Sequence, residues 1–138
     1  LLERFSIRLA APPLEPRLRL RESAALPIAT PTSETTDGAH HPLAEGIEKV
    51  ITNHPRALVH PNLSSVLGIV DERGDSHAIA ITGVVAGKGR LVVVSDPSMF
   101  INWMLRYPDN RRFAANLLEA LGAGTPNGKV WLVSGVFA

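Results

Sequence analysis

Between Gly87 and Gly122 the chain passes from a glycine-flanked apolar stretch, Leu91-Val92-Val93-Val94, through Ser95-Asp96-Pro97 into a segment with the periodicity of an amphipathic helix. No other part of the sequence constrains the fold as tightly. Four consecutive apolar residues do not alternate as a half-solvated strand does, so they read as a strand covered on both faces. A covered strand followed by a helix is the α/β pattern, in which ligands sit just past the carboxyl end of a strand. The helix is framed by Asp109, whose carboxylate suits the free N–H groups of a first turn, and by Gly122, which can adopt the left-handed conformation that closes a last one. Between them Phe113, Ala114, Leu117, Leu118 and Leu121 fall on one face. Burying each large member contributes about 1.5–3 kcal/mol, enough to tie the helix to a sheet.

The rest of the chain is read from its breakers. Prolines 12, 13, 16, 27, 31 and 42 and the polar run Thr32 to Gly38 exclude regular helix from Ala11 to Pro42, with room for a short strand at Leu26 to Thr30. His41 to Ile47 reads as a turn or a single helical turn. Lys49 to Thr52 and Ala57 to Val59 read as short strands on either side of Asn53-His54-Pro55. Leu63 to Val70 and His77 to Val85 flank Asp71-Glu72-Arg73-Gly74-Asp75, a hairpin in which Gly74 supplies positive φ. Gly87-Lys88-Gly89 is a second turn, leading into the strand Arg90 to Val94, and Asn127-Gly128 turns into a last strand, Lys129 to Ser134. Leu1 to Phe5 reads as the end of a helix already under way, so the expectation is a piece of a longer polypeptide.

A 14.8 kDa chain with 45% hydrophobic and 20% charged residues buries a core without metal or disulfide, as one domain spanning 1–138. A net charge of +1 gives no reason to expect nucleic acid, and Arg4, Arg8, Arg17, Arg19 and Arg21 read as a solvated face. The lack of cysteine excludes thiolate metal sites and thiol nucleophiles within these residues. No apolar run approaches the roughly 20 residues that span a bilayer.

Several groups of residues together resemble a known family: Leu1 to Ile7, His41-Pro42-Leu43 with Gly46-Ile47, Gly87 to Pro97 with Phe100 and Asn102, and Asp109-Asn110 followed by Asn116-Leu117-Leu118. They resemble a bacterial and archaeal domain family of unknown function in the glutamine-amidotransferase-like superfamily. Relatives there include gliding-motility-type ABC-transporter auxiliary proteins and the GIFT domain of an intraflagellar-transport subunit. The resemblance implies a flavodoxin-like three-layer α/β sandwich with a mostly parallel sheet and one β-hairpin, its first strands and helices upstream of Leu1. It also implies anchoring by flanking membrane segments and a place beside an AAA-type ATPase.

Active members of that superfamily need a cysteine on a strand-to-helix elbow and a His-x-Glu pair to orient an imidazole. No histidine here precedes a glutamate by two residues, and the corresponding strand end carries Ser95-Asp96-Pro97, so no catalytic residue is assigned. Ser95 lacks a Gly-x-Ser-x-Gly elbow. Asp96 is placed to cap the segment Pro97 to Leu105. Ser95, Asp96, Asn102 and Asn110 form the candidate ligand-binding set at the strand end, with hydrogen bonds that fix the local loop as the alternative for the two asparagines. Histidines 40, 41, 54, 60 and 77 show no metal-ligand spacing, and three of them precede prolines. Arg73-Gly74-Asp75 reads as turn chemistry. Gly87-Lys88-Gly89 precedes a strand rather than a helix and is no nucleotide cradle. Trp103 and Trp131 are core or interface aromatics.

The resulting expectation is a non-catalytic domain, with no cofactor or metal, that binds a partner protein or a small polar ligand such as a sugar in a membrane-associated or transport-related assembly. The membrane is reached only through segments outside this chain, and a homo-oligomer is possible. Two alternatives stand beside it: a hydrolase or amidotransferase whose nucleophile lies upstream of Leu1, and a structural module that pairs through exposed strand edges.

Overall fold

The computed structural model describes residues 2–10, 14–32, 38–85 and 89–122. Its strands are β1 (Arg8–Leu9), β2 (Ile28–Pro31), β3 (Val50–Ile51), β4 (Leu58–Val59), β5 (Ser64–Val70), β6 (Ser76–Val85) and β7 (Gly89–Val94), followed by the helix α1 (Pro108–Gly122). Five strands form one sheet in the order β3-β2-β5-β6-β7, and β1 pairs with β4 as a separate two-stranded ribbon. Every one of these pairings is antiparallel. The sheets curl into a half-barrel with one helix.

This overturns the expected flavodoxin-like sandwich with its mostly parallel sheet. The reason lies in the connections. Residues 71–75 join β5 to β6 and residues 86–88 join β6 to β7, whereas a parallel pair needs a crossover of about a dozen residues or more. Gly74 takes φ +94° in the first connection and Gly89 takes φ +84° at the start of β7.

The run Leu91 to Val94 is covered on both sides, as its composition requires, but the two covers differ in kind. Val92 and Val94 pack on the larger core, which includes Leu67, Ile69, Ile79, Met99 and Phe113. Leu91 and Val93 pack on a smaller cluster built from Ile7, Leu58 and Ile81. A helix and short helical turns close one side, while the β1–β4 ribbon and the Leu2–Phe5 turn close the other. Two compensating register shifts lie in the β5–β6 pair, where Leu67 faces Ala80 between Ser65–Ile81 and Gly68–Ala78. They turn two consecutive residues of each strand, Val66-Leu67 and Ile79-Ala80, into the same core.

The helix itself departs from the expected face. Phe113 is fully buried, but Leu118 and Leu121 are 55% and 54% exposed. The packed stripe is Asn110, Phe113, Leu117 and Ala120, stepping by three and four residues and opening on a polar side chain. Asp109 is the helix's second residue, and its Oδ2 accepts from Glu48 N at 3.0 Å and Lys49 N at 2.9 Å, two donors of another segment. Gly122 ends the described helix without the left-handed φ. The expected strand Lys129 to Ser134 and Trp131 lie outside the described residues.

Candidate functional site

The residues expected to line a strand-end crevice divide into two groups. Asp96, 3% exposed, caps the short 3₁₀ turn Pro97–Phe100: its Oδ1 accepts from Ser98 N at 3.0 Å and from the Ser98 hydroxyl. Its Oδ2 accepts from Asn53 N at 2.6 Å. Asn110, fully buried, accepts from Ile51 N at 2.9 Å and donates through Nδ2 to Ile51 O at 2.9 Å and Met99 O at 3.1 Å. Both side chains therefore converge on residues 51–53 and are engaged by backbone there. Ser95 extends the β6–β7 ladder by donating from its N–H to Ile79 O at 2.9 Å, while its buried hydroxyl has no hydrogen-bond partner among the described residues. Asn102 lies apart, exposed in the turn that follows residue 100.

The geometry at Asn110 follows from strand structure. Alternate residues of a strand direct their N–H and C=O groups to opposite sides. β3 is the outer strand of the sheet, so the outward pair at Ile51 faces no further strand. The primary amide of Asn110 supplies one donor and one acceptor to that pair and closes the edge as another peptide unit would. Asn116 adds Nδ2 bonds of 3.0 Å to both Leu43 O and Glu45 O, so side chains of α1 hold the segment from Leu43 to Ile51 at both ends and in between.

A more open concavity lies elsewhere, between the β1–β4 ribbon and the β5–β6 hairpin. It has a volume of about 450 Å³, within the range of small-molecule pockets. Ala10, Ala57, Leu58 and Ala78 give it apolar walls, and Thr32, Ser65, Ser76, His60 and His77 supply the polar groups. Thr32 donates its hydroxyl to Ser65 Oγ at 3.0 Å. Gly68 makes room for this arrangement: a Cβ there would meet Ser76 Oγ at 2.6 Å and Thr32 Cγ2 at 2.7 Å.

His77 is the most constrained of these groups. Its Nε2 donates to Asp71 Oδ2 at 2.8 Å, across the hairpin from the residue that organises the turn. Asp71 Oδ1 accepts from Arg73 N and Asp75 N, each at 2.9 Å. The hydrogen bond from His77 holds the Asp71 carboxyl below its ordinary pKa, opposed by partial desolvation and helped by the two backbone bonds. With Nε2–H held by the carboxylate, Nδ1 of neutral His77 is an acceptor, and it has no partner among the described residues. His60 Nδ1 accepts from Leu63 N at 3.3 Å.

From sequence alone His60 falls in a turn before a proline and His77 opens a strand, neither with a role, Thr32 and Ser65 are only parts of their segments, and Ser76 lies unassigned between the hairpin turn and the strand that follows. The available signal was the pairing of Asp71 with His77 across a hairpin already recognised. Among the described residues no group of three or more His, Cys, Asp or Glu side chains is placed to hold a metal ion, and no helix is long and apolar enough to cross a membrane.

A family model described as a domain of unknown function, DUF4350, matches residues 6–118, and the chain belongs to that family. No curated protein and no solved structure matches it.

Proposed function

We propose that this DUF4350 domain is a binding module that takes a small, neutral, hydroxyl-bearing ligand, such as a sugar, in the groove between the β1–β4 ribbon and the β5–β6 hairpin. The carrying observation is the lining of that groove, where three hydroxyls and two imidazoles stand around apolar walls and one imidazole is oriented by Asp71. Such a surface matches a polyol, whose C–H faces pack on Leu58 and the alanines while its hydroxyls exchange hydrogen bonds with Ser76 and His77 Nδ1. The polar atoms of Asp96 and Asn110 are spent on backbone groups, which leaves the groove as the better-equipped concavity.

A partner protein or a transport-related assembly, the wider setting expected from the family resemblance, is compatible with such a module and is supported by no contact in the groove itself. A hydrolytic reading draws on the same Asp71–His77 pair. It would require a hydroxyl on His77 Nδ1, and none of the described residues supplies one.

The test is a titration with a panel of mono- and disaccharides, followed by ligand-observed NMR, for the wild-type protein and the Ser76→Ala and His77→Gln variants. Saturable binding weakened about tenfold or more by either variant, with the far-UV circular dichroism unchanged, supports the reading, since each lost ligand bond is worth roughly 1–2 kcal/mol. Binding that both variants leave intact contradicts it.

A further inference from the structure

The turn between Phe100 and α1 presents a second surface that the groove does not explain. Its backbone is fixed: Met104 N and Leu105 N both donate to Ile101 O at 2.9 Å, and Tyr107 N donates to Met104 O at 3.1 Å. Met104, 1% exposed, anchors it to the interior. A turn pinned so firmly nevertheless shows solvent two of its largest apolar side chains, with Ile101 52% and Trp103 49% exposed.

Arg106 lies among the aromatic members of this turn. Its guanidinium carbon is 4.1 Å from the centroid of the Trp103 ring and 5.1 Å from that of Tyr107, and Nη2 donates to the Tyr107 hydroxyl at 3.0 Å. The two rings meet edge to face at 6.3 Å. The guanidinium is thereby held in place, and the conformational cost of ordering a long side chain on binding is reduced. One of its five N–H groups is used by Tyr107, and it has no ion pair among the described residues. No carboxylate occurs from Ile101 to Tyr107, so the turn itself carries one positive charge, beside the exposed Ile101 and Trp103.

We propose that Ile101 to Tyr107 is a docking surface for an acidic segment of a partner protein, with a carboxylate seated on Arg106 and an adjacent apolar side chain on Trp103. Exposed Trp, Tyr and Arg are the residue types that dominate binding energy at protein interfaces. The planar, ring-flanked guanidinium favours a carboxylate over a neutral partner because it can bind both oxygens at once. The charge selects the partner, and the exposed tryptophan and isoleucine supply the area that water leaves on docking. This proposal is independent of the groove and of any ligand bound there.

The experiment uses a synthetic nonapeptide of alternating leucine and glutamate, and its twin with glutamine at each glutamate. Each is titrated into the whole chain while the ¹⁵N-bound proton resonances of the Arg106 Nε and Trp103 Nε1 groups are followed. The expected result is a joint, saturable movement of both resonances with the glutamate peptide. Affinity should fall about tenfold or more for the glutamine twin and for Arg106→Gln, as a charge-assisted bond is lost, and should weaken as salt is raised. Trp103→Ala, also at an exposed position, should weaken binding with the fold unchanged. Resonances that do not move at millimolar peptide, or equal affinities for Arg106→Gln and wild type, would overturn the proposal.

Discussion

Asn110→Ala puts the strongest demand on the account of how α1 holds the sheet edge. The substitution removes a fully buried amide with three hydrogen bonds, to Ile51 N, Ile51 O and Met99 O. The Ile51 N–H is then orphaned in a dry site at a cost of about 1–3 kcal/mol, and each of the two lost carbonyl bonds adds roughly 1 kcal/mol. A total of about 3–5 kcal/mol is expected, a large share of the 5–15 kcal/mol typical of a whole domain. Urea denaturation should show the midpoint falling with little change in slope. Hydrogen exchange should show the Ile51 amide losing protection. Asn110→Asp separates hydrogen bonding from size. It keeps the volume and one acceptor but sets a carboxylate against two carbonyls, so it should destabilise at neutral pH and recover part of the loss as acid protonates it. A loss below about 1 kcal/mol for Asn110→Ala, with Ile51 still protected, would refute the edge-closing role.

The Asp71 carboxyl has a lowered folded-state pKa, so its pairing with His77 contributes stability above the unfolded value of roughly 3.9 and loses it as pH falls from there through the folded value. Carboxyl ¹³C titration of His77→Ala should therefore place the Asp71 midpoint higher than in wild type, and an unmoved midpoint would remove His77 as the principal cause. Ser95→Ala deletes a buried hydroxyl without a partner among the described residues and should be neutral or stabilising by up to about 1 kcal/mol in thermal unfolding. A loss above about 1 kcal/mol would mean that the hydroxyl is bonded after all.

The sequence made the local elements legible where turn chemistry decided them. The Asp71 to Asp75 hairpin and the cap at Asp96 both follow from side chains acting on neighbouring backbone. The sheet's direction did not follow from the apolar run Leu91 to Val94, because such a run records only that both faces are covered. A ribbon carrying Leu58 on one side and a helix carrying Phe113 on the other satisfy it as well as two helices do. The short connections between β5, β6 and β7 were the better guide, and they require antiparallel neighbours.

The helix face was misjudged for a related reason. A search for apolar periodicity favours Leu118 and Leu121 over Asn110, although the amide is the side chain that an unpaired strand edge needs. The groove was invisible because its polar groups come from four separated stretches, and nothing local links Thr32 with Ser65 or Asp71 with His77 until the hairpin has formed.

Chemical-shift mapping with ¹⁵N-labelled protein, as a monosaccharide or disaccharide is titrated, locates the sugar site residue by residue. Saturable shifts are expected to concentrate at Ala57 to His60, Ser65 and Ser76 to Ala78, the walls of the groove. Shifts confined to Ser95, Asp96 and their neighbours, or no saturable shift with any sugar of the panel, would contradict it.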